Sequence, residues 1–157
     1  MENELEKARK YMLKILKIKD FSEKELFRKL ADRGYSKETA ETTLEYLKIH
    51  GFIDDKTYAA RLVKKYSEDR PSGTYIIMRK LKEKGIKQDD SEQYIKDIDE
   101  LGMARKYILK KLHKIQGKTE EEAKKFIYKS LVSRGFSYDS VEKILNEYAG
   151  GNLIEQQ

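Results

Sequence analysis

Apolar residues recur every three or four positions along almost the whole chain, which is the spacing of amphipathic α-helices. The first such stretch carries Ala8, Met12 and Leu16 on one face and lysines on another. Ser22 and Glu25 then form a Ser-x-x-Glu capping box, in which each side chain accepts the other residue's backbone N–H, so a second helix is predicted to begin at Ser22. The pattern predicts an all-α protein.

Glycines and aspartates mark the predicted helix boundaries. The second helix is expected to end at Gly34, and a third, capped by Ser36, at Gly51, because glycine adopts positive φ without strain. Asp54 and Asp55 follow directly. We interpret both as the N-terminal cap of the next helix, since a carboxylate oxygen accepts N–H groups of a first turn.

The same helical pattern occurs three times. A Leu-x-x-x-Gly segment followed by an apolar or aromatic residue stands at 30–35, 81–86 and 131–136. The matching second-helix starts are Ser22, Ser72 and Thr119. We therefore predict three tandem three-helix repeats, similar to helix-turn-helix units, in an elongated and curved array. The predicted boundaries are 1–50, 51–101 and 102–149, with a flexible tail at 150–157.

These repeats resemble the RecX family, bacterial regulators of the RecA recombinase. The resemblance is carried by the three repeats, by the Gly-Phe-Ile-Asp-Asp-Lys-Thr-Tyr-Ala segment at 51–59, and by the Arg-Pro-Ser-Gly segment at 70–73 that leads into 81–86. In the family a proline and basic residues usually follow this glycine, whereas this chain has Thr-Tyr-Ile at 74–76.

The resemblance implies a regulator that is not an enzyme. Such a protein would bind the RecA filament on single-stranded DNA and could also bind DNA that carries no RecA. It would mainly inhibit ATP hydrolysis, strand exchange and coprotease activity, within homologous recombination, DNA repair and the SOS response. An array of repeats suits this role, because weak contacts to neighbouring protomers add through effective concentration.

Composition narrows the class of partner. The 157 residues contain no cysteine, and 34 basic against 28 acidic residues give a net charge of +6. The excess favours a polyanionic or acidic partner. The sequence has no apolar stretch of membrane-spanning length, so we expect a cytoplasmic protein with no membrane partner. We expect a monomer, although no residue pattern specifies the oligomeric state.

No residue pattern indicates catalysis. His50 and His113 are the only histidines, and neither has metal-ligand or acid-base partners at a suggestive spacing. The aspartates at 54 and 55 fit capping better than metal binding. We expect no catalytic residues, no metal and no cofactor.

Basic residues of the second and third repeats are the candidate contacts for DNA or for the filament. Lys106, Lys110 and Lys114 are four apart and are predicted to share one helix face. The alternative is that these lysines form a solvated face of a lysine-rich protein and contact no partner. The complete candidate set is Lys64, Lys65, Arg70, Arg79, Arg105, Lys106, Lys110, Lys111, Lys114, Lys124, Lys125 and Lys129.

Eleven tyrosines raise the question of base stacking, because aromatic faces beside lysines bind single strands. Tyr11 and Tyr107 occupy matching positions beside the apolar stripe and are expected in the core. Tyr75, which follows the loop at 71–73, is the expected exposed exception.

Two other functions stay open. A helix-turn-helix protein would bind duplex DNA directly and prefer one sequence. Glu41 and Glu45 argue against this, because their charge on the third helix opposes its entry into a DNA groove. A helical-repeat adaptor for some other acidic partner would show neither sequence preference nor action on RecA.

Overall fold

The computed structural model describes residues 1–69 and 71–153, and the described part is helical throughout with no strand. The all-α prediction is confirmed. In chain order the α-helices are α1 (Glu4–Leu16), α2 (Glu23–Asp32), α3 (Lys37–Ile49), α4 (Asp55–Lys64), α5 (Thr74–Glu83), α6 (Gln88–Lys96), α7 (Glu100–Leu109), α8 (Glu120–Ser133) and α9 (Tyr138–Ala149). A π-helical segment, Lys65–Asp69, continues α4, and a 3₁₀ turn, Leu112–Lys114, follows α7.

Most predicted helix starts are confirmed. Ser22 and Thr119 form reciprocal capping boxes with Glu25 and Glu122, and Ser36 caps α3. The predicted start at Ser72 is wrong. Its buried side chain lies before α5, its backbone N–H donates to the Tyr66 carbonyl, and the helix begins at Thr74.

The predicted cap at 54–55 is half right. The Asp54 carboxylate accepts the backbone N–H groups of Lys56 (3.0 Å) and Thr57 (3.3 Å), so it caps α4. These bonds, the one from the Thr57 backbone foremost, lower the pKa of Asp54. Asp55 instead accepts the backbone N–H of Glu23, the first residue of α2, at 2.9 Å. It caps a helix more than thirty residues earlier in the chain.

The chain divides into two compact units. Unit 1 comprises Met1–Leu62 and Leu81–Glu92. There α3 packs against α1 and α2, as the apolar faces predicted. The core combines buried residues of all three helices, among them Ala8, Met12, Leu26, Leu30, Ala40, Leu44 and Leu47.

Unit 2 comprises Val63–Lys80 and Gln93–Gln157. Within it α7, α8 and α9 pack on one another. Its core includes Ala104, Ile108, Ala123, Ile127, Leu131, Phe136, Val141, Ile144 and Leu153. Leu153 is fully buried, which corrects the predicted flexible tail at this residue. The rest of the predicted tail, 154–157, lies outside the described residues.

The boundary between the units falls inside α4, α5 and α6, the helices of the predicted middle repeat. Helix α7 begins at Glu100, two residues before the predicted start of the third repeat. The division into three repeats stays a prediction.

Candidate partner-binding surface

Positive charge is concentrated in unit 2. By sequence its segments contain 17 basic and 12 acidic residues, a formal charge of +5, whereas unit 1 has 17 and 16, a charge of +1. Every residue of the predicted basic set belongs to the segments of unit 2. Arg70 alone among them lies outside the described residues.

Helix α7 does not carry the predicted continuous lysine face. It ends at Leu109 with Lys110 as its C-terminal cap, and the chain then tightens into the 3₁₀ turn that contains Lys114. A 3₁₀ helix has about 3.0 residues per turn against about 3.6 in an α-helix, so four-residue spacing no longer keeps side chains in line. Lys106 belongs to α7 and Lys110 is its C-terminal cap. The prediction that Lys114 lies on the same helix face is wrong.

Several predicted cations are already engaged by protein groups. Arg105 donates from Nε and Nη2 to the two carboxylate oxygens of Glu147, at 2.9 and 2.7 Å. The hydrogen bonds from Arg105 lower the pKa of Glu147, and the same pairing raises the pKa of Arg105. Since this pair joins α7 to α9, Arg105 is primarily a packing residue.

Three more of the predicted cations are engaged, two in ion pairs on α8 and one with an aromatic ring. Lys124 pairs with Glu120 at 2.7 Å and Lys125 with Glu121 at 3.3 Å, each four residues apart on the helix surface. The Nζ of Lys111 lies 4.9 Å from the ring centroid of Tyr107. These contacts must be given up before the lysines bind a partner, so the three lysines are slightly weaker candidates than unpaired ones. The cost is small, because an exposed pair contributes little free energy.

Six lysines of the set are exposed, and no carboxylate in the described part of the chain forms an ion pair with them: Lys64, Lys65, Lys106, Lys110, Lys114 and Lys129. Arg79 is also exposed, on α5. The six lysines are the part of the predicted set that is available to a partner without first breaking an ion pair.

A carboxylate that the sequence reasoning missed fixes the helices of unit 2. Oε1 of Glu100, at the start of α7, accepts the backbone N–H and the hydroxyl of Thr74, each at 2.8 Å, and the N–H of Ser137 at 3.2 Å. Its Oε2 accepts the hydroxyls of Ser137 at 2.5 Å and Ser140 at 2.8 Å. One half-buried carboxylate thus accepts hydrogen bonds from the N-terminal residues of both α5 and α9. Negative charge is favoured there, because the first N–H groups of a helix have no partner within the helix.

The pKa of Glu100 reflects this environment. Burial opposes its ionisation, but the hydrogen bonds from Ser137, Thr74 and Ser140 outweigh that cost and lower the pKa. Asp55, which makes the related contact in unit 1, behaves in the opposite way. Burial raises its pKa, and repulsion from Glu23, Asp90 and Asp54 adds to the effect, because one backbone N–H donor does not compensate.

The positions of these acids contained a signal. Glu4, Asp55 and Glu100 are the first residues of α1, α4 and α7. Glu4 accepts the N–H of Ser36 and the hydroxyl of Thr39, the counterparts of the Ser137 and Ser140 contacts. For Glu4 and Glu100, an acid at the start of the first helix together with Ser-x-x-Thr or Ser-x-x-Ser at the start of the third could have indicated the tertiary caps, whereas Asp55 has no such partner motif.

Close backbone packing accompanies both contacts. In unit 2 the Gly73 N–H donates to the Arg134 carbonyl at 2.8 Å, and a Cβ on Gly73 would overlap the backbone of Gly135. In unit 1 the Ser22 hydroxyl donates to the Lys84 carbonyl. A Cβ on Gly85 would meet the side chain of Lys24. In each unit the N-terminus of one second helix therefore rests on the C-terminal glycine turn of another.

The clefts of the two units differ in character. Unit 1 has clefts of about 670 and 560 Å³, both lined by a mixture of acidic and basic side chains. Unit 2 has a smaller cleft of about 380 Å³, whose lining includes Tyr75, Arg79 and Tyr138 and has no acidic residue.

The described ranges contain neither a candidate metal site nor a candidate membrane-spanning helix. No group of three or more histidine, cysteine or acidic side chains there could hold a metal ion. Among these residues, no helix combines the length and apolar character that crossing a bilayer requires.

Comparison with known proteins gives consistent matches. The family model for the first three-helix domain of RecX matches residues 8–47. The regulatory protein RecX of Prosthecochloris aestuarii is 30% identical, over 93% of this chain and 96% of its own length. That of Pelodictyon phaeoclathratiforme is 28% identical, over 92% and 90%.

Two solved structures share the fold. The crystal structure of RecX from Lactobacillus salivarius has a TM-score of 0.85 with 22% identity, covering 91% of this chain and 95% of that one. A second crystal structure of a regulatory protein RecX has a TM-score of 0.79 and 27% identity, covering 91% and 73%.

Proposed function

The chain belongs to the RecX family of regulatory proteins, and we propose that it binds the filament of the RecA recombinase on single-stranded DNA and modulates that filament. The expected effect is mainly inhibition of ATP hydrolysis, strand exchange and coprotease activity. The observation that carries the proposal is the match to a RecX protein over almost the full length of both chains.

The charge of unit 2 supports a polyanionic partner. DNA in a filament presents a regular array of phosphates, and each lysine that neutralises a phosphate releases counterions and gains affinity. Lys106, Lys110 and Lys114 are exposed without ion pairs to any described residue, as such a contact requires. The protein would act as a monomer in the cytoplasm.

Regulation would follow from unequal affinity for two filament states. A protein that binds one arrangement of RecA protomers more tightly shifts the equilibrium toward it, in proportion to the difference in binding free energy. Contacts from two units could engage neighbouring protomers, and linking them within one chain raises the effective concentration of the second contact.

Direct duplex recognition is less well supported. A groove-reading helix needs a polar or cationic face that reaches base edges. The exposed side of α3 carries Glu38, Glu41 and Glu45, and that of α9 carries Asp139 and Glu142. Lys37, Lys48 and Lys143 pair with three of these carboxylates, but each face still carries one more acidic than basic residue, so its net charge disfavours approach to phosphates.

The experiment is a titration of this protein into RecA during ATP hydrolysis that depends on single-stranded DNA, at physiological salt. A parallel measurement follows binding to the same DNA without RecA. Inhibition at concentrations that leave the bare DNA mostly unbound would support filament regulation. Loss of hydrolysis only when the protein has covered the DNA would refute it and favour competition for DNA.

A further inference from the structure

Unit 2 exposes four large side chains, three of them tyrosines: Tyr75, Met78, Tyr128 and Tyr138. Tyr75 is 53% exposed and Tyr138 is 66% exposed, and both line the cleft of about 380 Å³. Large aromatic side chains gathered at a concave surface are a common mark of a binding site. The expectation that Tyr75 is exposed is confirmed, and Tyr138 was not anticipated.

The backbone holds the two tyrosines beside one turn. Tyr75 lies in the first turn of α5, and its N–H donates to the Gly135 carbonyl at 3.1 Å. Gly135 lies between α8 and α9, and Tyr138 is the first residue of α9. Both ring-bearing segments are therefore anchored before any ligand arrives, so binding needs little ordering of the backbone.

The remaining lining supplies polar and cationic groups above an apolar base. Phe136 is buried with 2% exposure, while Arg79 and Ser133 are exposed. Arg79 lies one helical turn after Tyr75 on α5. Lys129 lies one turn before Ser133 on α8, is exposed, and has no ion pair with any carboxylate of the described residues.

We propose that this cleft binds an unpaired base of single-stranded DNA by stacking on a tyrosine ring, with Arg79 and Lys129 near the adjoining phosphates. The inference deepens the proposed function, on which it rests for the identity of the DNA, by naming one DNA contact of unit 2. Aromatic faces stack on any base whatever its sequence. The +5 charge of unit 2 and the absence of acidic lining favour a polyanion. A nucleic acid is favoured over an acidic peptide because its bases can also stack on the two tyrosines that line the cleft.

The test measures affinity for a short fluorescein-labelled oligothymidylate by anisotropy, without RecA and at low salt. Tyr75→Ala and Tyr138→Ala should each weaken binding about tenfold, the loss typical of one stacked base. Tyr75→Phe, which keeps the ring, should bind as the unaltered protein does. Phe52→Ala removes an aromatic ring of unit 1 that is 48% exposed and serves as the matched control, with no change expected.

An abasic oligonucleotide of the same length separates stacking from phosphate contact. Tyr75→Ala and the unaltered protein should bind it equally, because no base is present to stack. Equal losses on both oligonucleotides would overturn the proposal. So would weaker RecA inhibition by Tyr75→Ala at unchanged affinity for either oligonucleotide, because the cleft would then contact protein.

The two proposals fail separately. If the tyrosine substitutions weaken oligothymidylate binding while the unaltered protein leaves RecA hydrolysis unchanged, the base site stands and filament regulation is refuted. If RecA is inhibited but the tyrosine substitutions leave oligothymidylate binding unchanged, the base site is refuted and regulation stands.

Discussion

Replacing Glu100 with glutamine should reveal how strongly one carboxylate holds unit 2 together. Glu100→Gln keeps the size of the side chain but replaces one acceptor oxygen with an NH₂ donor. In the folded protein both oxygens face donors, three at Oε1 and two at Oε2. The amide can keep one set of bonds, and the serine hydroxyls can rotate to accept from the other side.

The change in the free energy of unfolding can be estimated from the hydrogen bonds and the charge that Glu100→Gln removes. A hydrogen bond to a charged group contributes about 1.5–3 kcal/mol, and an anion at a helix N-terminus about 0.3–1 kcal/mol. Glu100 is half-buried and the substituted amide keeps part of the network, so we expect unfolding to become easier by about 2 kcal/mol. At about 2–4 °C per kcal/mol for a chain of this size, the melting temperature should fall by about 4–8 °C.

The equivalent acids of the other first helices are matched controls. Glu4→Gln loses only two long or exposed contacts and should cost less than Glu100→Gln. Asp55→Asn should be neutral or slightly stabilising, because the amide oxygen can still accept the Glu23 N–H while burial and carboxylate repulsion no longer oppose folding. Thermal melts followed by circular dichroism rank the three variants. Equal shifts would refute the assignment of Glu100 as a shared cap.

Acid should remove the difference between Glu100→Gln and the unaltered protein. The pKa of Glu100 in the folded protein is lowered from its ordinary 4.5, so its stabilising contribution is complete above that value and is lost as the pH falls through the lower folded value. The two melting temperatures should therefore differ most at neutral pH and converge as the pH falls through the folded-state pKa, which lies below 4.5. A gap that widened on acidification would contradict the stated direction of the shift.

The remaining predictions concern a helix end and the basic surface. Gly85→Val places a β-branched residue at φ +76° against the α2 side chain beside it and should cost about 1–3 kcal/mol, whereas an unchanged melt would show that this strain is relieved. Reversing both Lys110 and Lys114 to glutamate should weaken filament binding about tenfold at physiological salt with unaltered folding. The same reversal at Lys7 and Lys14 of unit 1 should have little effect, and equal losses in both pairs would refute a surface specific to unit 2.

Sequence predicted those features of the fold that depend on nearby residues. Ser22 and Thr119 were identified as caps because each capping box spans only four residues. The ion pair between Lys124 and Glu120 has the i,i+4 spacing of a helix surface and was open to the same reasoning.

Features that join distant residues were not predicted. The contacts of Asp55 with Glu23 and of Glu100 with Thr74 depend on how the helices pack, which local spacing does not specify. The pairing of Arg105 with Glu147 has the same origin, and it removes one predicted cation from the available surface.

The end of α7 shows a different limit. Leu112 and Ile115 continue the helical spacing of Ile108, so periodicity alone favoured a longer helix. The structure instead uses a 3₁₀ turn there and still buries Ile115. An apolar spacing of three residues is compatible with both helix types. The pattern therefore did not reveal that Lys114 lies off the face of α7.

We propose that this RecX-family protein binds the RecA filament in preference to DNA alone. The most direct measurement compares its affinity for preassembled RecA filaments on single-stranded DNA with its affinity for the same DNA free of RecA, at physiological salt. We expect clearly tighter binding to the filament. Equal or weaker binding to the filament would contradict it.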